Sequence, residues 1–414
     1  MDFFYNNKKI IMIIGFVLMT FLVGYLIYFM FFRPLLTETE ETQEGTTATS
    51  TAGSGLPEAN EGQGQIITDS EGKITKINAN TTTDLADKIA KGGLTSVTQL
   101  TNSPSLGATL SSSGNLLYYN QTDGKFYQID EDGNISVLSD KVFYDVENVT
   151  WSPDSSEAII EYPDGANIIY NFETGEQITL PSHWEDFDYS PSGDEIVMKS
   201  IGNDITNSWL AVVNDDGSNA QAIEKIGANA DTVISSWSPN NQTIAMYTKG
   251  DSLNDQSVYF VGLNDENFKS ISVSGRGFVS EWSDDGSKLL YSVYSTETDL
   301  NPTLWVANAE GDSIGTSKVN LGVTTWADKC VFKDANNVYC GVPTDLQEGS
   351  GYMRSLALST EDELYQINIV TGLKKKVATP DSAYNISSPI ISDDGKYLYF
   401  TDATTEELYQ IQLK

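Results

Sequence analysis

One short turn recurs along this chain and limits what it can fold into more than any other feature. It reads Trp151-Ser152-Pro153-Asp154, and it returns as Tyr189-Ser190-Pro191-Ser192-Gly193, Trp237-Ser238-Pro239-Asn240, Trp282-Ser283-Asp284-Asp285-Gly286 and Ile391-Ser392-Asp393-Asp394-Gly395. A weaker copy is Leu110-Ser111-Ser112-Ser113-Gly114 and a degraded one is Phe332-Lys333-Asp334-Ala335-Asn336, which brings the count to seven. Each copy joins a polar turn to a short apolar run such as Ala158-Ile159-Ile160 or Lys288-Leu289-Leu290-Tyr291, the pattern of a β-hairpin. A third strand follows, as in Phe126-Tyr127-Gln128-Ile129, Leu304-Trp305-Val306 and Leu408-Tyr409-Gln410-Ile411, then a turn and a short fourth strand such as residues 135–138. Four strands per repeat, at a mean spacing of about 47 residues from Ser111 to Ser392, is the signature of a propeller blade. The expected fold is all-β, a seven-bladed β-propeller over residues 96–414. The last repeat reaches Lys414 straight after its third strand, so its fourth is expected from Ser96-Val97-Thr98-Gln99-Leu100-Thr101, closing the ring.

The region before the repeats has a different composition. Residues 10–32 carry no charge over 23 positions, enough for a helix to cross a hydrocarbon core of ~30 Å. Lys8 and Lys9 precede this run, while Glu38, Glu40, Glu41 and Glu44 follow Arg33, so residues 1–9 are expected in the cytoplasm. The run exceeds the apolar core of about 7–15 residues in a cleaved signal peptide and ends in Phe31-Phe32-Arg33-Pro34. It therefore reads as an uncleaved signal anchor of a single-pass cell membrane protein, with everything beyond it extracytoplasmic. Residues 33–64 are rich in Thr, Glu, Gly and Ser and read as a flexible stalk, because they hold too few apolar side chains to offset the entropy of ordering. Residues 65–95 form an adaptor in which Ile66, Ile67, Ile74 and Ile77 around Ser70-Glu71-Gly72 fit a hairpin and residues 84–91 fit one or two helical turns.

Charge and residue choice narrow the function classes. With 24 basic against 58 acidic residues, a net of −34, the chain repels polyphosphate backbones, which argues against nucleic acid as a partner. His183 is the sole histidine, in Pro181-Ser182-His183-Trp184, so imidazole-based metal sites and catalytic triads have almost nothing to be built from. Turns such as Asp130-Glu131-Asp132-Gly133-Asn134 lack the full calcium-loop pattern and read as tight turns. No catalytic residue, metal site or cofactor is assigned. Cys330 and Cys340 sit symmetrically about residue 335, opposite each other if a hairpin turns there, and outside the cytoplasm such a pair is expected to be a disulfide rather than two free thiols.

The Trp-Ser-Pro-Asp turns, the Ile/Leu-rich second strands and the Leu-Tyr-Gln-Ile third strands resemble the TolB-like and WD40-like β-propellers that carry a Trp-Ser-Pro-Asp-Gly repeat. Residues 329–332 and 339–343, around the two cysteines, also look like a blade of membrane-anchored bacterial propellers. The resemblance covers residues 96–414 and implies the fold; such propellers serve as scaffolds, accessory domains and sensors, so it does not choose a function. Loop length is more informative. Connections between second and third strands are short in the first two blades, residues 120–124 and 163–165, and longer afterwards: 200–208, 249–257, 295–303 and 341–362. Blades three to six thus offer a binding face, with Tyr352, Met353 and Arg354 in the longest loop as candidate contacts for a protein, peptide or glycan partner. The alternative is a hydrolase or lyase with a carboxylate-lined central channel.

Overall fold

The computed structural model describes residues 86–266 and 268–414, together with strands Ile66–Thr68 and Ile74–Lys76 and the isolated positions Met19 and Leu22. The expected membrane anchor (apart from those two positions), the cytoplasmic tail and the stalk lie outside the described residues. Among the described residues no helix is long and apolar enough to cross a membrane. The chain divides into two compact units, 1–79 and 80–414. In the first, the two short strands pair antiparallel with Ile67 opposite Thr75, the hairpin read from the isoleucine pattern.

The second unit is a seven-bladed propeller. Blade 2 shows the plan: strands Asn148–Trp151, Glu157–Glu161, Ile168–Asn171 and Gln177–Thr179 pair antiparallel in sequence order. We call such strands a to d. Strand a of the other blades is Ser105–Leu110 (blade 1), Trp184–Tyr189 (blade 3), Val233–Ser235 (blade 4), Arg276–Trp282 (blade 5), Cys330–Asp334 (blade 6) and Ile386–Ile391 (blade 7). The a strands of blades 1 and 2, 2 and 3, 3 and 4, 6 and 7, and 7 and 1 touch one another, so they line the axis of a closed ring.

This arrangement explains why the second strands are written as unbroken apolar runs rather than alternating ones. A blade is covered on both faces, so successive side chains of strand b, which point opposite ways, are all buried. Ala158 and Ile160 pack toward blade 1, in a layer with Tyr119, Phe126 and Phe143, while Ile159 packs toward blade 3 with Trp184, Ile196 and Met198. The core is accordingly seven apolar layers, one between each neighbouring pair of blades. The repeat tryptophans join blades by directed bonds as well as by packing: Trp151 Nε1 donates to Gly107 O at 2.6 Å and Trp282 Nε1 to Ser236 Oγ at 2.9 Å. Gly107 sits at φ +60° in a bulge of strand a, and a Cβ there would meet Val149 Cβ at 2.7 Å, so the close approach of blades 1 and 2 requires glycine.

The ring closes through the predicted segment. Strand Val97–Gln99 adds antiparallel to Leu408–Gln412 as strand d of blade 7, with Tyr409 opposite Gln99 and Ile411 opposite Val97. A second latch was not foreseen: strand Leu94–Thr95 runs parallel to the end of strand d of blade 6, Lys374–Pro380. Residues 86–91 are not helical. Asp87 bridges to Thr95 and Ile89 to Gln412, because backbone groups on the outer edges of blades 6 and 7 offer them partners. Part of the adaptor segment thus belongs to the propeller's outer wall.

Deleting Ser96–Thr101 is expected to remove cooperative unfolding of the propeller, measured as the thermal transition in circular dichroism. A deletion variant that melts like the parent would contradict closure by this strand.

Candidate binding face and central channel

The motif serines and the acid two residues after each of them are held by the turns themselves. Ser152 Oγ donates to Asp154 Oδ1 at 2.7 Å and accepts from Glu157 N at 3.2 Å; Ser283 with Asp285 and Lys288 repeats the arrangement, as does Ser392 with Asp394 and Tyr397. Ser238 is fully buried and bonded to Asn240. In the Asp-rich turn of blade 1, Asp130 Oδ1 accepts from the backbone N–H of Asp132 and Asn134, which is turn chemistry. Among the described residues no three His, Cys, Asp or Glu side chains gather to hold a metal ion. His183 is exposed at the start of blade 3, with its carbonyl accepting from Ile201 N and its ring near that of Trp184.

The opposite face carries the b–c loops and the connections from each strand d to the next strand a. All four longer b–c loops are shorter than the sequence indicated: strand b of blade 3 includes Ser200, strand b of blade 4 runs through Lys249 and Gly250, strand c of blade 5 begins at Pro302 and strand b of blade 6 runs to Pro343. The loops are bonded side to side. Asn254 in blade 4 and Thr296 in blade 5 exchange hydrogen bonds at 2.7 and 3.2 Å. The long loop of blade 6, residues 344–361, reaches in both directions. Its Gly349 and Gly351 N–H groups donate to Asp299 O and Leu300 O of blade 5. Its Ala357 O accepts from Asn385 Nδ2 at 2.8 Å and its Leu358 O from Thr404 Oγ1 at 2.9 Å, both in blade 7.

Within that loop the three candidate residues divide. Tyr352 is 70% exposed with its ring edge-on to Tyr294, and Met353 is 51% exposed. Arg354 instead turns toward the axis, stacking over Trp326 at 4.9 Å and making a two-pronged ion pair with Asp328 at 2.5 and 3.1 Å. Asp328 lines the central channel, so Arg354 links the outer face to the channel mouth.

The channel encloses a cavity of about 260 Å³ whose walls include Ala108 of blade 1, Glu281 and Trp282 of blade 5, Asp328 before blade 6 and Ser388 and Ile390 of blade 7. Burial pushes the Glu281 carboxyl up to about 8, and the negative charges of Asp328 and Asp188 add to the effect. Burial likewise raises Asp188, to about 7, although it accepts from Trp237 N at 2.6 Å. Beside the channel lies a buried ion pair, Lys329 Nζ to Asp362 Oδ2 at 2.7 Å, with Asn385 Oδ1 accepting from the same ammonium and Ile386 N donating to the same carboxylate. Sequence reasoning missed Glu281 and this pair, since each gains its neighbours from other blades and no local spacing marks them. Cys330 and Cys340 face each other in register and are joined by a disulfide, packed in the apolar layer between blades 5 and 6.

No protein-family model matches the chain, and no curated protein matches it. Solved structures do. An oligogalacturonate lyase in complex with manganese aligns at 14% identity and a TM-score of 0.50, covering 77% of this chain and 93% of the lyase. The Cps50 (Swd1) β-propeller domain of Myceliophteria thermophila aligns at 9% identity and a TM-score of 0.51, covering 77% and 100%. At these identities the likeness establishes the propeller fold alone.

Glu281 holds its proton in the folded protein at pH values where the unfolded chain has released it, so the folded state binds the extra proton and stability falls as pH rises from about 4.5 toward 8. Glu281→Gln removes that term. The variant is expected to gain about 1–3 kcal/mol over the parent at pH 8 and much less at pH 5, read by urea unfolding; equal gains at both values would contradict a proton held in the channel.

Proposed function

We propose that the chain is a membrane-anchored, extracytoplasmic propeller that binds a protein, peptide or glycan partner on its b–c face. The observation that carries the reading is the build of that face. Loops of blades 4 to 7 are fastened to one another rather than loose, yet they leave Tyr352, Met353 and Leu253 largely exposed. Exposed apolar and aromatic side chains on a pre-ordered surface are what partner binding uses, because little ordering entropy remains to be lost on docking. The 23-residue uncharged run at 10–32 and the acidic residues that follow it support anchoring outside the cytoplasm, a setting in which the Cys330–Cys340 bond persists.

The rival reading, an enzyme working in the channel, has one specific point in its favour. Glu281 and Asp188 have carboxyls tuned to near-neutral values, as general acids and bases are. The fold does not choose between the two, since a lyase and a Swd1 propeller domain both share it.

The two readings separate by mutation. Crosslinking and pull-down of the full chain from its native membranes is expected to lose partners in a Tyr352→Ala, Met353→Ala double variant and to keep them in Glu281→Gln. Identical recoveries from the double variant and the parent would sink the binding face.

A further inference from the structure

At the outer end of the b–c face, between blades 3 and 4, lies a cavity of about 390 Å³, within the range of about 300–1,000 Å³ usual for small-ligand sites. Its base is apolar, formed by Ile226, Val233 and Val261. One wall carries Tyr247 and Tyr259, cross-strand partners in blade 4 whose rings lie nearly parallel, 5.8 Å apart and 29° from coplanar. Around the opening stand Glu224 from strand d of blade 3, Asn229 from the connection into blade 4, and Lys249 at the end of strand b.

The polar tips of these three residues and both tyrosine hydroxyls make no hydrogen bond or ion pair with any described residue. Nearby surface side chains are paired, as Ser257 is with Asp251 and Asn254 with Thr296. An apolar, aromatic base ringed by uncommitted donors and acceptors is how a site is built for a ligand that is apolar on one side and polar around its edge.

We propose that this cavity binds a pyranose unit of a glycan. A sugar ring presents a C–H face that packs on an aromatic ring and equatorial hydroxyls that both donate and accept. Glu224 accepts from such hydroxyls, Lys249 donates to them, and Asn229 does both. A peptide adding as a strand is poorly served, because strands b and c of blade 4 are interior strands with their backbone groups already paired on both sides. The assignment rests on the binding reading given above and deepens it, with the glycan subsite at blades 3 and 4 and Tyr352 in the loop of blade 6.

The test uses the full chain in a detergent without a sugar headgroup, since alkyl glycosides would compete. Saturation-transfer NMR and calorimetry are run against glucose, N-acetylglucosamine and galacturonic acid and the linear trimers of each. At least one sugar is expected to bind saturably below about 10 mM. Tyr259→Ala and Asn229→Ala, both at exposed positions, are expected to weaken it at least tenfold, while Leu373→Ala on the opposite face leaves it unchanged. Absence of binding by the whole panel, or binding that Tyr259→Ala does not alter, overturns the assignment. Partner loss in the Tyr352/Met353 variant without sugar binding refutes this subsite alone; sugar binding with an unaffected pull-down refutes the loop contacts alone.

Discussion

The propeller depends on a strand borrowed from just ahead of its own first blade. Blade 7 has three strands from residues 386–412 and takes its fourth from Val97–Gln99, roughly three hundred residues earlier in sequence, where Thr98 pairs with Gln410. Without that pairing blade 7 would end in an open edge, and the apolar layers between blades 6 and 7 and between 7 and 1 would lie against a sheet free to peel. The parallel contact of Leu94–Thr95 with blade 6 and the bridge from Ile89 to Gln412 extend the same seam to a second blade. Closure couples seven otherwise similar sheets into one body, and the placement of every loop follows from it.

Between the blades, two kinds of interaction divide the work. Seven apolar layers supply most of the burial, while a few carboxylates fix how neighbouring blades align. Asp186 and Asp188 of blade 3 accept from Ser235 N and Trp237 N of blade 4, and Asp362 of blade 6 accepts from Ile386 N of blade 7. Lys199 lies 3.0 Å from Asp186 and Lys329 lies 2.7 Å from Asp362, so each seam carries a compensating cation. Of the two pairs only Lys329–Asp362 is buried on both sides, so removing one of its partners leaves a charge with no solvent and no counter-charge, which makes the seam between blades 6 and 7 intolerant of single substitutions. Asp188 is both such a seam group and a carboxyl whose proton affinity burial raises, so the acidity near the axis is in part a by-product of how the blades are joined.

Much of the fold was readable because its repeat is local. A turn in which serine caps its own hairpin, followed by a strand buried on both faces, leaves a pattern within a few residues: Ser152 and Asp154 ahead of Ala158-Ile159-Ile160. The closing strand was readable by counting, since blade 7 lacked one. The segment at 86–91 was misread because its local pattern suits a helical turn, while the unpaired outer edges that capture it belong to blades 6 and 7. At the functional face, loop length pointed to residues 344–361, yet nothing local separates Arg354, paired with Asp328, from its exposed neighbours Tyr352 and Met353. Glu281 and the tyrosine-lined cavity of blade 4 were invisible for the same reason: their chemistry is assembled by residues from different blades.

Amide hydrogen exchange measures the closure most directly, because it reports opening of the seam separately from opening of each blade. If Val97–Gln99 holds the ring shut, its paired amides exchange as slowly as those of the central strands Glu157–Glu161 and Lys288–Tyr294, through the same global opening. Exchange at 97–99 and 409–411 several orders of magnitude faster, with the central strands still protected, would show a ring that stays folded while open and would contradict the account.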